Sequence, residues 1–327
     1  IMNSLVTGSN GFIGSHLVEK LLAENHHVRC LVRKTSNLQW IEHLPVKLVY
    51  GDITHYESLC SAVQEIDYIF HLGGTVRART KDDFFQINVR GTENLINACL
   101  NTNQKIKKFV FISSQAAAGP SPEKRKLRES DTPTPISLYG YSKLQAEKLV
   151  LNSKNVIPIT IIRPPSVYGP RDDDILEMFR FVKRGIKPQL GFKEKYLSLI
   201  HVSDLVDGIY RASRTTISDG EIYHLANNGM VTIPDFLSEI EHAMHKKALS
   251  VKIPAFVIDI YAQFSEIFAR FNNSIALVNK DKALEMKQDY WLLDNEKAKH
   301  DLNFEPCISL SEGIRTTLEW YKNHGLL

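Results

Sequence analysis

The sequence predicts an α/β protein, a doubly wound parallel sheet followed by a smaller C-terminal domain, and three observations carry that reading. Short β-branched runs alternate with amphipathic stretches through the first half, the order in which βαβ units are written. A glycine-rich turn joins the first run to the first amphipathic stretch. After Pro164 and Pro165 the alternation breaks off.

Taken in order, strands are expected near Asn3 to Thr7, Val28 to Val32, Lys47 to Tyr50, Tyr68 to Leu72, Lys108 to Ile112 and Ile157 to Ile162. Helices fall between them, near Ile13 to Glu24, Tyr56 to Val63, Phe84 to Asn101 and Leu138 to Leu151. The first domain is expected over residues 1–165 and the second over 166–327. Tyr168 to Arg171 reads as a turn, followed by a helix from Asp174 to Lys183 and a strand near Leu197 to His201. Two more helices are expected near Asp204 to Ala212 and Pro234 to His245, and Glu221 to Leu225 looks able to return to the first domain.

Composition narrows the function classes. With 43% apolar and 24% charged residues, the 327-residue chain can bury one large core and a smaller one. Forty basic and 37 acidic residues leave a formal charge of +3, too balanced for nucleic acid to be the expected partner. A small molecule is expected instead. Cys30, Cys60, Cys99 and Cys307 are scattered, with no metal-ligand spacing and no disulfide framework, so a cytoplasmic protein without a bound metal is expected. The start of the chain has no leader-like segment, and no transmembrane run is read anywhere.

Thr7 to Gly14 reads TGSNGFIG, glycines spaced GxxGxxG between a strand and a helix. Such a turn brings the backbone close to a pyrophosphate and offers it the free N–H groups of the helix start. Gly8, Asn10, Gly11, Phe12, Ile13 and Gly14 are therefore candidates to cradle a dinucleotide on a Rossmann-type fold. NAD sites place a carboxylate at the end of the second strand; here Arg33 and Lys34 stand there, which suits a 2′-phosphate and selects NADP(H), with NAD(H) as the alternative. Asp52 and Ile53 follow the third strand, where a side chain meets the adenine edge; the competing role for Asp52 is to cap a turn.

Tyr139 and Lys143 lie four apart on one face of an expected helix, and Ser114 ends a preceding strand. A phenol ordinarily titrates near ~10, so a cation beside it brings proton transfer toward working pH. With these motifs in this order, from about Asn3 to Tyr321, the chain resembles the extended short-chain dehydrogenase/reductase family of sugar epimerases, dihydroflavonol reductases and 3β-hydroxysteroid dehydrogenases. The resemblance also covers His71–Gly74, Asn88–Thr92, Arg163–Pro170 and His201–Asp204. It implies that Leu72, Gly73, Gly74, Thr75 and Asn88 flank the cofactor, and that Pro165 and Val167 lie near the nicotinamide. It implies further that Tyr139 is the acid/base, that Ser114 holds the substrate oxygen, and that Lys143 also holds the nicotinamide ribose. Ser113 is the rival of Ser114, whereas His71 and His201 read as packing and turn residues.

Within that resemblance, Gln115 and Ala116 stand where dehydratases carry an acidic pair, and Leu197 and Ser198 where many epimerases carry a diphosphate-binding arginine. Arg171, Lys193 or Lys195 could substitute. A reductase or dehydrogenase of a ketone or secondary alcohol is therefore the leading expectation, a sugar or nucleotide-sugar epimerase the second, and a cofactor-binding regulator without turnover the third. Ala255 to Phe271 carry an apolar helical stripe, read as core, dimer contact, substrate lid or membrane-surface helix. The resemblance also implies a homodimer through the helices near Phe84 to Asn101 and Leu138 to Leu151.

Overall fold

The computed structural model describes residues 2–272 and 278–327, without the side chains of Arg270 and Phe271, so the last residue of the apolar stripe lies outside the described side chains. In chain order the first half is β1 (Met2–Thr7), α1 (Phe12–Ala23), β2 (His26–Val32), β3 (Lys47–Tyr50), α2 (Tyr56–Ala62) and β4 (Tyr68–His71). Then come α3 (Lys81–Phe84), a π-helix (Phe85–Arg90), α4 (Gly91–Thr102), β5 (Lys108–Ile112), α5 (Gln115–Ala118), α6 (Leu138–Asn152) and β6 (Ile159–Arg163).

Seven parallel strands form the main sheet, in the order Glu221–His224, β6, β5, β4, β1, β2, β3. Every residue of β5 and β6 is buried, as strands covered on both faces require. On one face, α1 and the helix Val202–Ser213 pack Leu17, Leu21, Leu205 and Ile209 against Val6, Val110 and Ile162. On the other, α2, α4 and α6 contribute Leu59, Leu95, Ala146 and Val150 to a second cluster with Leu5, Phe109 and Ile161. Strand order reverses between β1 and β4, and at such a switch point the loops leaving the two strands diverge and open a crevice.

A third core lies among the helices Asp173–Lys183, Ile233–Met244 and Leu310–Asn323, built on Phe179, Leu237, Ile314 and Leu318. The strand expected near Leu197 to His201 is two strands. Tyr196–Leu197 pairs with Val231–Thr232, and Leu199–His201 pairs with Ser166–Tyr168. Ser198 breaks the run, because its N–H donates to Trp291 O and its hydroxyl accepts from Leu293 N–H. Tyr168, expected in a turn, ends a strand because Leu199–His201 supplies its ladder; the turn starts at Gly169, at φ +148°. No helix among the described residues is long and apolar enough to cross a membrane.

Candidate active site

The glycine turn after β1 is packed at backbone distance. Gly8 sits at φ +68°, and a Cβ there would lie 2.9 Å from Gly73 N, so the loops after β1 and β4 touch. A Cβ on Gly14 would stand 2.0 Å from Gly8 O, which only glycine avoids. Gly11 caps α1 without a side chain, leaving the first helical N–H groups and the positive end of the helix for an anion. This cradle fits the pyrophosphate of a dinucleotide. Asn10 ties it to the loop after β2 by donating to Asn37 O at 3.1 Å, while Phe12 and Ile13 begin the helix half-buried.

His71, at the end of β4, fixes the crevice floor. Thr92 donates its only hydroxyl proton to Asn88 O (2.6 Å), so its oxygen accepts from His71 Nε2 (3.0 Å). Nδ1 then accepts from Thr7 Oγ1 (2.7 Å), whose oxygen takes the Gly73 N–H (2.9 Å). Burial, with the nearby Lys143 charge, pushes the imidazole down to about 3, so it stays neutral. Asn88 holds the other end of the Leu72–Thr75 loop: its Oδ1 accepts from Thr75 N–H at 2.7 Å, its Nδ2 donates to Thr75 O and to Ser142 Oγ, and a Cβ on Gly74 would meet it at 2.9 Å.

Arg33 and Lys34 are exposed on a shallow cleft of about 460 Å³ that Tyr50, Asp52 and His55 also line. Asp52 accepts from the N–H and hydroxyl of Thr54 at 2.9 and 2.8 Å through one oxygen, the turn-capping role. Burial raises its carboxyl, but those bonds and the Arg33 charge prevail and hold it below the usual range. Ile53 packs under Gly91, where a Cβ would meet Ile53 Cδ1 at 2.8 Å.

The structure brings Ser114, Tyr139 and Lys143 to the other end of the crevice. Ser114 caps α5, its oxygen accepting from Ala116 N–H at 3.1 Å, and its hydroxyl lies beside the Tyr139 phenol. Burial pushes that phenol up to about 12; the Ser114 hydroxyl opposes the rise and the Glu285 carboxylate adds to it. Lys143 is buried, donates to Ile112 O at 2.6 Å and lies 4.4 Å over the Phe111 ring. Desolvation lowers its ammonium to about 8, against the pull of Glu147. Ser113 faces away, donating to Glu147 Oε1 at 2.5 Å, and Tyr141 is exposed. Pro165 is buried just past β6, and Val167 lies half-buried in the strand Ser166–Tyr168.

Two supports of this site escape sequence reasoning. Glu147, one turn past Lys143, forms a fully buried bidentate pair with Arg163 at 2.8 and 2.6 Å; its spacing was a legible signal, its partner was not. Asp281 accepts the N–H groups of Leu138 and Tyr139 at 2.6 and 3.2 Å, while Ser137 donates to Glu285 at 2.6 Å, so a distant helix (Lys280–Lys287) caps α6. Of the substitute cations, Arg171 is bound to Ser15 and Glu19 of α1, and Lys195 to the carbonyls of Lys287 and Gln288. Lys193 stays exposed. His201 caps the helix Val202–Ser213 by accepting the Ser203 N–H.

Residues 4–226 match the NAD dependent epimerase/dehydratase family. The chain is similar to the "4-hydroxy-2-methyl-3-oxo-4-farnesyl-3,4-dihydroquinoline-1-oxide ketoreductase" of Stigmatella aurantiaca, 27% identical with 96% of this chain and 95% of that protein covered. It is also similar to the 3-beta-hydroxysteroid dehydrogenase of Mycolicibacterium neoaurum, 26% identical over 97% of this chain and 90% of the relative. Among solved structures, a UDP-glucuronic acid 4-epimerase from Bacillus cereus, in complex with UDP-glucuronic acid and NAD, matches with a TM-score of 0.78 and 26% identity, covering 99% of this chain and all of that one. With over half of its length inside the family match, and a glycine-rich turn at the switch point of a seven-stranded parallel sheet, the chain is an enzyme belonging to the NAD dependent epimerase/dehydratase family.

Proposed function

We propose that this enzyme is an NADP(H)-dependent reductase, or reversible dehydrogenase, acting on a bulky ketone or secondary alcohol. Residues 1–165 hold the cofactor and the lobe from 166 onward shapes the substrate pocket. The observation that carries the reading is the Tyr139 phenol set beside the Ser114 hydroxyl, with the buried Lys143 cation anchored on Ile112 O one helical turn away.

Held up to about 12, the phenol is protonated at neutral pH and enters the reaction as an acid. It donates its proton to the substrate carbonyl oxygen, while the Ser114 hydroxyl donates a second hydrogen bond to the same oxygen. The charge on Lys143 offsets the phenolate left behind, and its two remaining N–H groups suit ribose hydroxyls. When bound, the nicotinamide supplies the hydride. Arg33 and Lys34, exposed with no carboxylate at the end of β2, support NADP(H) over NAD(H).

A reductase is favoured over an epimerase because Arg171 and Lys195, two of the three cations that could grip a diphosphate, are engaged elsewhere. The activities for which the similar ketoreductase and hydroxysteroid dehydrogenase are named agree with it. Purified protein is titrated with NADPH and NADH, then offered ketones and UDP-sugars while NADPH absorbance and sugar isomers are followed. Tyr139→Phe keeps nucleotide affinity and loses turnover by at least roughly a hundredfold. Preferential NADH binding unaltered by Arg33→Ala sinks the cofactor assignment, and interconversion of UDP-sugars without net NADPH loss replaces the reductase with an epimerase.

A further inference from the structure

Among the described residues, the apolar stripe from Phe256 to Phe268 is neither core nor covered. Of the 21 large hydrophobic side chains exposed among the described residues, 11 fall within residues 186–192 and 249–268. The helix Ala255–Phe271 turns Phe256, Phe264 and Phe268 outward at 62, 67 and 69% exposure, together with Val257, Ile260, Tyr261 and Ile267. Its two acids leave that face. Asp259 pairs with Lys287 at 2.8 Å, and Glu266 accepts the Lys280 N–H at 2.8 Å.

Just before it, the parallel ribbon of Ile186–Leu190 and Leu249–Ile253 continues the same surface. Leu249, Val251 and Ile186 share one face by their period of two, and Leu249 is 74% exposed. Lys187, from the opposite face, bonds Glu241 on the helix Ile233–Met244, so the apolar face looks away from the protein. Around the ribbon stand Lys183, Arg184, Lys246, Lys247 and Lys252, all exposed and without ion pairs among the described residues. Leu249 N donates to Gly185 O, which brings the Lys183–Arg184 and Lys246–Lys247 pairs side by side.

An apolar face about 25 Å long, free of acids and bordered by five unpaired cations among the described residues, matches a bilayer surface with anionic headgroups better than a second copy of the chain. A two-fold copy would bring the cationic border up against itself. We propose that the enzyme docks on anionic phospholipid membranes, with the helix Ala255–Phe271 lying flat at the headgroup level and the ribbon lysines on the phosphates. The docked helix then adjoins Lys280–Lys287, the element whose Asp281 and Glu285 hold the start of α6, so the Tyr139 crevice sits on the lipid side of the molecule.

The full chain is sedimented with phosphatidylcholine vesicles containing about one-third phosphatidylglycerol, and with phosphatidylcholine vesicles alone. Binding is expected to the first, to weaken with salt, and to fall roughly 25-fold in Lys246→Ala/Lys247→Ala, at about fivefold per cation. The double variant Phe264→Asp/Phe268→Asp, at exposed positions that leave the fold intact by circular dichroism, loses binding at least roughly tenfold. The proposal is overturned if the wild type stays in the supernatant with anionic vesicles. It is also overturned if the phenylalanine variant binds them unchanged, or if light scattering shows a dimer that this variant abolishes while vesicles are ignored.

Discussion

Replacing Glu147 by Gln tests the support under Lys143 most directly. The carboxylate accepts from Ser113 Oγ, Arg163 Nε and Arg163 Nη2, and both it and Arg163 are at most 2% exposed. An amide of the same shape presents N–H to one of those donors and leaves the guanidinium buried without its counter-charge. Removing one partner of a buried pair costs about 3–5 kcal/mol. An unfolding entropy near 2.1 cal/mol/K per residue, taken over 327 residues, makes that a fall in Tm of about 4–7 °C. The variant also loses the negative charge that opposes the depression of the Lys143 ammonium, so the alkaline limb of the pH–rate profile moves to lower pH. Calorimetry reads the first effect and turnover against pH the second. Glu147→Leu combined with Arg163→Met removes both charges and is expected to lose less than the sum of the singles. A Tm within about 1 °C of wild type for Glu147→Gln, or a double variant worse than that sum, refutes the buried-pair reasoning.

Two further outcomes follow from burial and from packing. Burial depresses His71 and His224 to about 3 and His201 to about 4, from 6.5. Below pH 6.5 the unfolded chain takes up protons that the folded one refuses, so stability falls as pH drops toward 4, by about 2 kcal/mol per histidine at pH 5 in denaturant titrations. Lys143, lowered to about 8 from 10.5, acts at the other end, and its contribution rises as pH climbs from 8 to 10.5; a flat stability curve over both ranges refutes the burial of these groups. Gly14→Ala drives a Cβ to 2.0 Å from Gly8 O and is expected to weaken nucleotide binding at least tenfold by calorimetric titration, whereas Gly229→Ala, with open space around it, leaves binding unchanged.

Local pattern made much of the sheet legible before any coordinates. Lys47–Tyr50 and Lys108–Ile112 appear with the expected ends, because a run of β-branched and aromatic residues between turn signals depends only on its neighbours. Glu221–His224 joins β6, as its composition suggested. The ribbon Ile186–Leu190 with Leu249–Ile253 was not legible: one strand contains Pro188, and its partner lies more than sixty residues away. The helix Leu310–Asn323 is amphipathic, so its spacing carries a local signal that the expected elements do not include. Around the candidate site, Ser114, Tyr139 and Lys143 could be named from spacing, whereas the caps from Asp281 are set by contacts across more than 140 residues that no local period encodes.

The stretch expected as one helix from Phe84 to Asn101 carries a π-turn over Phe85–Arg90, which amounts to one residue inserted into an α-helix. The wider turn absorbs that residue, so the helix beyond it keeps its facing while the residues inside the bulge are displaced. A single deletion there restores regular winding and re-aims Asn88, which lies inside the bulge and holds Thr75, while Thr92, beyond it, keeps its face toward His71. The extra residue of this short helix, rather than the identity of any one side chain, thus aims Asn88 at the loop after β4, and a one-codon deletion would undo that hold without touching the glycine turn.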